Sequence, residues 1–272
     1  MARVESIIPL RGTIGNMTFY KLRGKYYAKR KGGPDPEKIK NDPAYARQRQ
    51  HMAEFGRAGM AGRLIRTALI EYEGRPSDYS ITTRLTSALM TVVKSDPVND
   101  RGARTVQNGK LSLLRGFSFN EKHSLRSMLW ANPHTRIDPA TGVMEVNMPA
   151  YVPKQAIKAP GSATHYRIVA IALELDIDHD QYQLTVQSTP VLSLTADNVD
   201  AFSLITKGSY KKGNVLLLMA GIELLRREAG GLFVQYGAHH NALEILETHG
   251  GSALSAKEVK KKIFEEYKTK HL

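Results

Sequence analysis

The sequence predicts an α+β protein. An N-terminal β-hairpin is joined to a helical hairpin, followed by an antiparallel β-sandwich of immunoglobulin or fibronectin III type and a short C-terminal amphipathic helix. Three observations carry this. A basic, aromatic hairpin pattern surrounds Gly24. Helix-forming residues dominate 44–72, and 81–92 hold apolar residues at helical spacing. From Arg136 onward, apolar runs are separated by Gly- and Asp-containing turns at strand spacing. The expected modules are 1–135, 136–250 and 251–272.

Short strands open the chain. Ile7–Leu10 is apolar, Gly15-Asn16 suits a turn, and Met17–Lys21 and Tyr26–Arg30 flank "LRGK". Gly24 supplies the left-handed backbone that a tight hairpin needs. "GGPDPEK" then reads as a proline-punctuated link. Asp42 suits an N-cap and Pro43 the first helical position, starting a long helix over Ala44–Tyr72. Within it Gly56, Gly59 and Gly62 recur every three residues, each costing about 1 kcal/mol relative to alanine. Such a strip marks close packing against another element, a subunit contact, or a break in the helix; close packing is favoured. A second helix, capped by Ser77 or Asp78, runs to Val93 with Ile81, Leu85, Ala88, Leu89 and Val92 on one face. The two helices are expected to bury their stripes against each other and against the N-terminal strands.

Residues 94–135 read as turns with strands at "LSLLRGFSFN" and "LRSMLWAN", and the single tryptophan, Trp130, reads as a core anchor. "TRIDPATGVMEVNMP", "THYRIVAIALELDI", "QYQLTVQSTPVLSL", "NVLLLMAGIELLRR", "LFVQY" and "NALEILETH" supply the strands of the sandwich. The closing "SAKEVKKKIFEEYKTKHL" has a capping box at Ser255 and Glu258 and a narrow apolar face. Docking on its own protein or a neighbouring subunit is favoured over a membrane or nucleic acid.

Charge is unevenly placed. Residues 1–136 hold 25 Lys and Arg against 11 Asp and Glu, and residues 137–255 hold 8 against 12. A basic front half attracts a polyanion through phosphate neutralisation, or matches an acidic face within an oligomer. There is no cysteine, which excludes disulfides, thiolate metal sites and cysteine nucleophiles. The opening "MARVESIIPLRG" lacks the apolar core of a signal peptide, and "NVLLLMAGIELL" is too short and interrupted to span a bilayer. A soluble cytoplasmic chain, free or incorporated into a particle, is expected.

Lys21, Arg23, Lys25, Tyr26, Tyr27, Lys29, Arg30 and Lys31 form the candidate nucleic-acid surface, since aromatics stack on bases while cations track phosphates. With Arg23-Gly24 as the turn, Tyr20 opposes Tyr27 and Lys21 opposes Tyr26. Each face then mixes aromatics and charge, which weakens the reading of one stacking platform. Asp176, Asp178, His179 and Asp180 lack the glycine and distal glutamate of a calcium loop, so a polar turn is favoured. His239 and His240, adjacent on an extended segment, are expected to point apart. No phosphate loop, nucleophile elbow, zinc-protease or dinucleotide fingerprint occurs in the sequence, so no enzyme, metal or cofactor is expected.

The stretches "LRGTIGNMTFYKLRGKYYAKRKGG" and "DPAYARQRQHMAEFGRAGMAGRLIRTAL" resemble the openings of a family of uncharacterised bacterial proteins, with looser similarity through "RGFSFN" and "ATHYRI" to near residue 248. The resemblance implies no activity, cofactor or site residue. The sequence therefore predicts a non-enzymatic structural or interaction protein with a protein partner or a homo-oligomeric state. Building blocks of phage-like or mobile-element particles offer an analogy of fold. A nucleic-acid-binding accessory protein is the alternative.

Overall fold

The computed structural model describes residues 2–3, 10–30, 32, 35–208, 210–211, 213–228, 233–235 and 238–250. The expected C-terminal helix lies outside these. The chain divides into two compact units, Met1–Arg49 and Gln50–Leu272. It mixes helices with antiparallel sheets, and none of its described helices is long and apolar enough to cross a membrane.

The first unit is a four-stranded antiparallel ribbon. Its strands β1 (Ala2–Arg3), β2 (Gly12–Ile14), β3 (Met17–Leu22) and β4 (Lys25–Arg30) lie in the order β1-β4-β3-β2. Arg23 and Gly24 both have positive φ, 49° and 82°, the backbone of a two-residue hairpin turn. The segment read as a flexible link contains a helix instead, α1 (Pro36–Asn41). Asp35 caps it by accepting from the Glu37 amide at 3.1 Å, and Pro36 sits in its first turn. Asp42 then accepts from the Ala44 amide at 2.9 Å and starts a 3₁₀ turn over Pro43–Tyr45. The long helix α2 (Ala46–Ile70) follows directly.

In the second unit, α2 and α3 (Ile81–Lys94) precede an irregular stretch that includes the single turn α4 (Leu125–Met128). Next come β5 (His134–Asp138), β6 (Val143–Met148), α5 (Pro153–Ala156), β7 (His165–Asp176), β8 (Gln181–Ser188), β9 (Leu192–Ser193), β10 (Phe202–Lys207), β11 (Val215–Arg227), β12 (Phe233–Gln235) and β13 (Ala242–Gly250). A six-stranded antiparallel sheet is centred on β7 and β11, paired from Val215 opposite Leu175 to Leu225 opposite His165. A three-stranded sheet has the order β10-β6-β5.

The central strands are nearly continuous apolar runs, and their burial explains why. Along β7 and β11, Val169, Ile171, Leu173, Leu175, Val215, Leu217 and Met219 join Leu64, Ile65 and Leu69 of α2 and Leu85, Leu89 and Val92 of α3 in one core. The alternate residues Tyr166, Ile168, Ala170, Leu216, Leu218 and Ile222 join Met144, Val146 and Met148 of β6 and Leu204 of β10 in a second core. A strand buried on both faces has no polar face to show. The helical hairpin thus shares its core with the strands after residue 136, so the compact units do not divide at the expected 135/136 boundary.

Three local readings are corrected. The N-cap of α3 is Ser80, whose side chain makes no cap hydrogen bond. The carboxylate of Asp78 does this work from outside the helix, accepting from the amide and hydroxyl of Ser80, both at 2.7 Å. The segment 111–119 is not a regular strand. It forms a 3₁₀ turn over Leu111–Leu114, and Gly116, Phe117 and Phe119 then exchange backbone hydrogen bonds with Leu243 and Ile245 of β13. Within "LRSMLWAN", Leu125–Met128 is a helical turn capped by the Ser124 side chain.

Candidate functional site

The register fixes the two faces of the ribbon, because directly opposed residues share a face. One face carries Thr13, Thr18, Tyr20 and Leu22 with Lys25, Tyr27 and Lys29. There the Tyr20 and Tyr27 rings stack at 5.9 Å and 26°, and Lys29 Nζ lies 5.7 Å from the centre of the Tyr20 ring. The other face carries Ile14, Met17, Phe19 and Lys21 with Tyr26, Ala28 and Arg30, and Lys21 Nζ sits 5.4 Å over Tyr26. Tyr20 opposes Tyr27 and Lys21 opposes Tyr26, so aromatics and cations divide between the faces. Lys21, Arg23, Lys25, Lys29 and Arg30 are exposed, and Tyr26 and Tyr27 are half-buried. Lys31 lies outside the described residues.

Among the described residues of this unit only Ala28 is buried. Ile14 is 62% exposed and Leu22 51%. A small sheet needs a covered apolar face to be stable in water. On the ribbon, Ile14 is exposed and Met17 and Phe19 are half-buried, on a face that also carries Lys21 and Arg30.

The three glycines of α2 do not share one role. A side chain at Gly62 would meet Leu89 of α3 at 3.3 Å, so its absence lets the helices approach. At Gly56 and Gly59 a side chain would meet nothing within 4 Å. These two lie on the outer side of α2 beside Met52, Phe55 and Met60, all more than half exposed. The close-packing reading therefore holds for Gly62 alone.

The "DIDHD" segment is a hairpin turn whose acids serve different partners. Asp176 is 2.9 Å from His179 Nδ1, a contact that lowers its pKa. Asp178 accepts from Gln107 at 2.8 Å, and Asp180 pairs with Arg63 of α2 at 2.5 Å. The turn is thereby pinned to the helix layer. His239 and His240 do not point apart. Residues 238–240 form a turn, the two rings lie 4.2 Å apart, and His123 comes within 5.4 Å of His240. Burial, with His239 nearby, lowers the pKa of both His123 and His240. Even so, no group of three His, Asp or Glu among the described residues is placed to hold a metal ion.

Sequence reasoning missed a buried polar knot at the far end of the six-stranded sheet. Tyr72, just beyond α2, donates to Glu223 Oε1 at 2.6 Å, and Arg167 Nε lies 4.0 Å from Glu223 Oε2. Burial, then the Glu223 carboxylate, pushes the Tyr72 phenol far above its usual range. Gly74 is required here, because a side chain would strike the Glu223 carboxylate and the Tyr72 hydroxyl. Asn241, fully buried, accepts from the Leu224 amide and donates to the Gly74 carbonyl, both at 3.0 Å. Asn120 donates to the carbonyls of His239 and Asn241 at 2.8 and 2.9 Å. The available signal was Glu223 itself, an acid inside the apolar run "LLLMAGIELL".

Trp130 was also misread. It is 60% exposed, because the Trp130 amide donates to the Ala156 carbonyl at 2.8 Å while Leu129, before it, turns inward. No protein-family model matches the chain, and no curated protein matches it.

Proposed function

We propose that the protein is a non-enzymatic assembly component whose N-terminal ribbon completes its core on a second copy of the chain. The carrying observation is the ribbon's burial: among its described residues only Ala28 is buried, and Ile14, Met17 and Phe19 lie together on one face with Ile14 exposed. Charge supports the same reading. Residues 1–49 hold 12 Lys and Arg against 4 Asp and Glu, whereas residues 137–255 carry a net negative charge. The basic ribbon is attracted to the acidic 137–255 segment of a second copy rather than to the body as a whole, whose residues 50–272 hold 27 Lys and Arg against 22 Asp and Glu. A six-stranded and a three-stranded antiparallel sheet contribute to one core, which supports the sandwich character expected from the strand pattern.

Light scattering on the full chain tests this. It should show an oligomer that weakens as salt rises, and Ile14→Asp with Phe19→Asp should release monomers. A native chain that is monomeric at every concentration would overturn the proposal.

The Tyr20–Tyr27 stack, flanked by Lys25 and Lys29, favours a second reading, a nucleic-acid-binding accessory protein. Replacing Lys25, Lys29, Arg30 and Lys31 with Gln should weaken binding to single-stranded DNA or RNA and flatten its salt dependence. Unchanged affinity and slope would dismiss it.

A further inference from the structure

Trp130 stands at the edge of a shallow cavity of about 750 Å³ formed by the segments around 130–134, 149–156 and Asn198. Its floor is fixed by backbone hydrogen bonds. Trp130 donates to Ala156 and Lys158 to Met128, both at 2.8 Å, and Tyr151 and Val199 bond each other reciprocally at 3.0 and 2.9 Å. The Trp130 ring is therefore presented to solvent from a braced segment.

The lining chemistry is selective. In a protein with 24% charged residues and a net charge of +13, no Asp, Glu, Lys or Arg lines this cavity. Its polar groups are amides and an imidazole: Asn132, Gln155, Asn198 and His134. Asn198 Nδ2 donates to Asp200 Oδ1 at 3.1 Å, which orients its amide. The lining offers a phosphate or a carboxylate no Lys or Arg to pair with. A side-chain amide both donates and accepts, and so does a sugar hydroxyl. An exposed indole face supplies the apolar platform beneath them.

A proline-rich peptide also uses aromatic grooves. Here the second aromatic of the lining, Tyr151, is buried, with its hydroxyl 2.9 Å from that of Tyr166. One exposed aromatic face suits a flat sugar ring better than a helical ridge that seats between two. We infer that this cavity binds a neutral saccharide, stacked on Trp130 and hydrogen-bonded by Asn132, Gln155 and Asn198.

Trp130 is the sole tryptophan, so its fluorescence reports on the cavity directly. The full chain is titrated with maltohexaose, cellohexaose and the hexamer of N-acetylglucosamine, and separately with a decaproline peptide. At least one saccharide should give a saturable shift in emission that salt does not alter. Calorimetry should show that Trp130→Ala abolishes this binding and that Asn198→Ala weakens it about tenfold, the loss of a hydrogen bond in a desolvated site. Because Trp130 is largely exposed, Trp130→Ala should leave the thermal midpoint unchanged. No saturable shift with any saccharide, a shift with decaproline alone, or full binding by Trp130→Ala would each overturn the inference.

Discussion

Tyr72→Phe removes one atom from the second unit, and that atom holds a buried carboxylate. Glu223 is 4% exposed, with Tyr72 Oη at 2.6 Å from one oxygen and Arg167 Nε at 4.0 Å from the other. Phenylalanine keeps the ring packing, so the cost is the hydrogen bond and the desolvation left uncompensated. A hydrogen bond to a charged partner contributes roughly 1.5–3 kcal/mol. Arg167 cannot take over, because 4.0 Å is beyond hydrogen-bonding distance and Gly74 with the Asn241 network fixes the backbone around the pair. The expected loss is therefore about 2–3 kcal/mol.

Glu223→Gln isolates the charge. Glutamine still accepts from Tyr72 but loses the attraction to Arg167, so its cost should be about 1 kcal/mol, because desolvation offsets most of a buried ion pair. In the double variant the two costs should fall short of additivity by about 1–2 kcal/mol, as expected of groups in direct contact. Urea unfolding followed by circular dichroism reads all four proteins, with equal slopes required before midpoints are compared. A Tyr72→Phe loss under about 0.5 kcal/mol, or strictly additive costs, would show that the pair is not the coupled unit described.

Two further predictions follow from the helix layer. Burial alone would raise the Asp78 pKa, yet hydrogen bonds from Ser80, Arg84 and the Glu121 amide hold it at about 2. That depression is stabilising above the ordinary carboxylate range and is lost as pH falls through about 2. Asp78→Asn should cost about 2 kcal/mol at neutral pH and little at pH near 2, read from denaturant midpoints across pH. An equal cost at both pH values would refute the assignment. Gly56→Ala and Gly59→Ala should each raise the stability of the second unit by about 0.5–1 kcal/mol, whereas Gly62→Leu should lower it by about 1–3 kcal/mol through overpacking against Leu89. Calorimetric melting compares the three, and a loss at Gly56 or Gly59 would mean that a neighbour covers them.

The ribbon and the helical hairpin were legible because local chemistry decides them. Arg23-Gly24 sets the turn, hence the register, hence which side chains share a face. Leu85, Leu89 and Val92 mark the buried side of α3 from spacing alone. What was not legible depended on partners far along the chain. The apolar runs of β7 and β11 are as compatible with a sheet covered by another sheet as with one also covered by helices, so the shared core of α2, α3 and the sheet left no separate trace. Trp130 followed the statistics of its residue type until a backbone hydrogen bond to Ala156 turned it outward. His239 and His240 defied the extended-chain rule because the chain turns there.

The two units differ in what holds them. The body builds two apolar cores on opposite faces of one sheet, with β7 and β11 contributing alternate residues to each. Loss of a single large side chain from either core costs about 2–5 kcal/mol, a cost set by internal packing and independent of protein concentration. The ribbon has hydrogen-bonded strands and cross-strand pairs but, among its described residues, one buried side chain, Ala28. A small sheet of this kind gains from a covered apolar face. Stabilisation drawn from a binding partner scales with the concentration of that partner. Under the assembly proposed above, the ribbon's stability would rise with protein concentration while the body's would not, and that difference is the physical reason to seek the interaction in the ribbon.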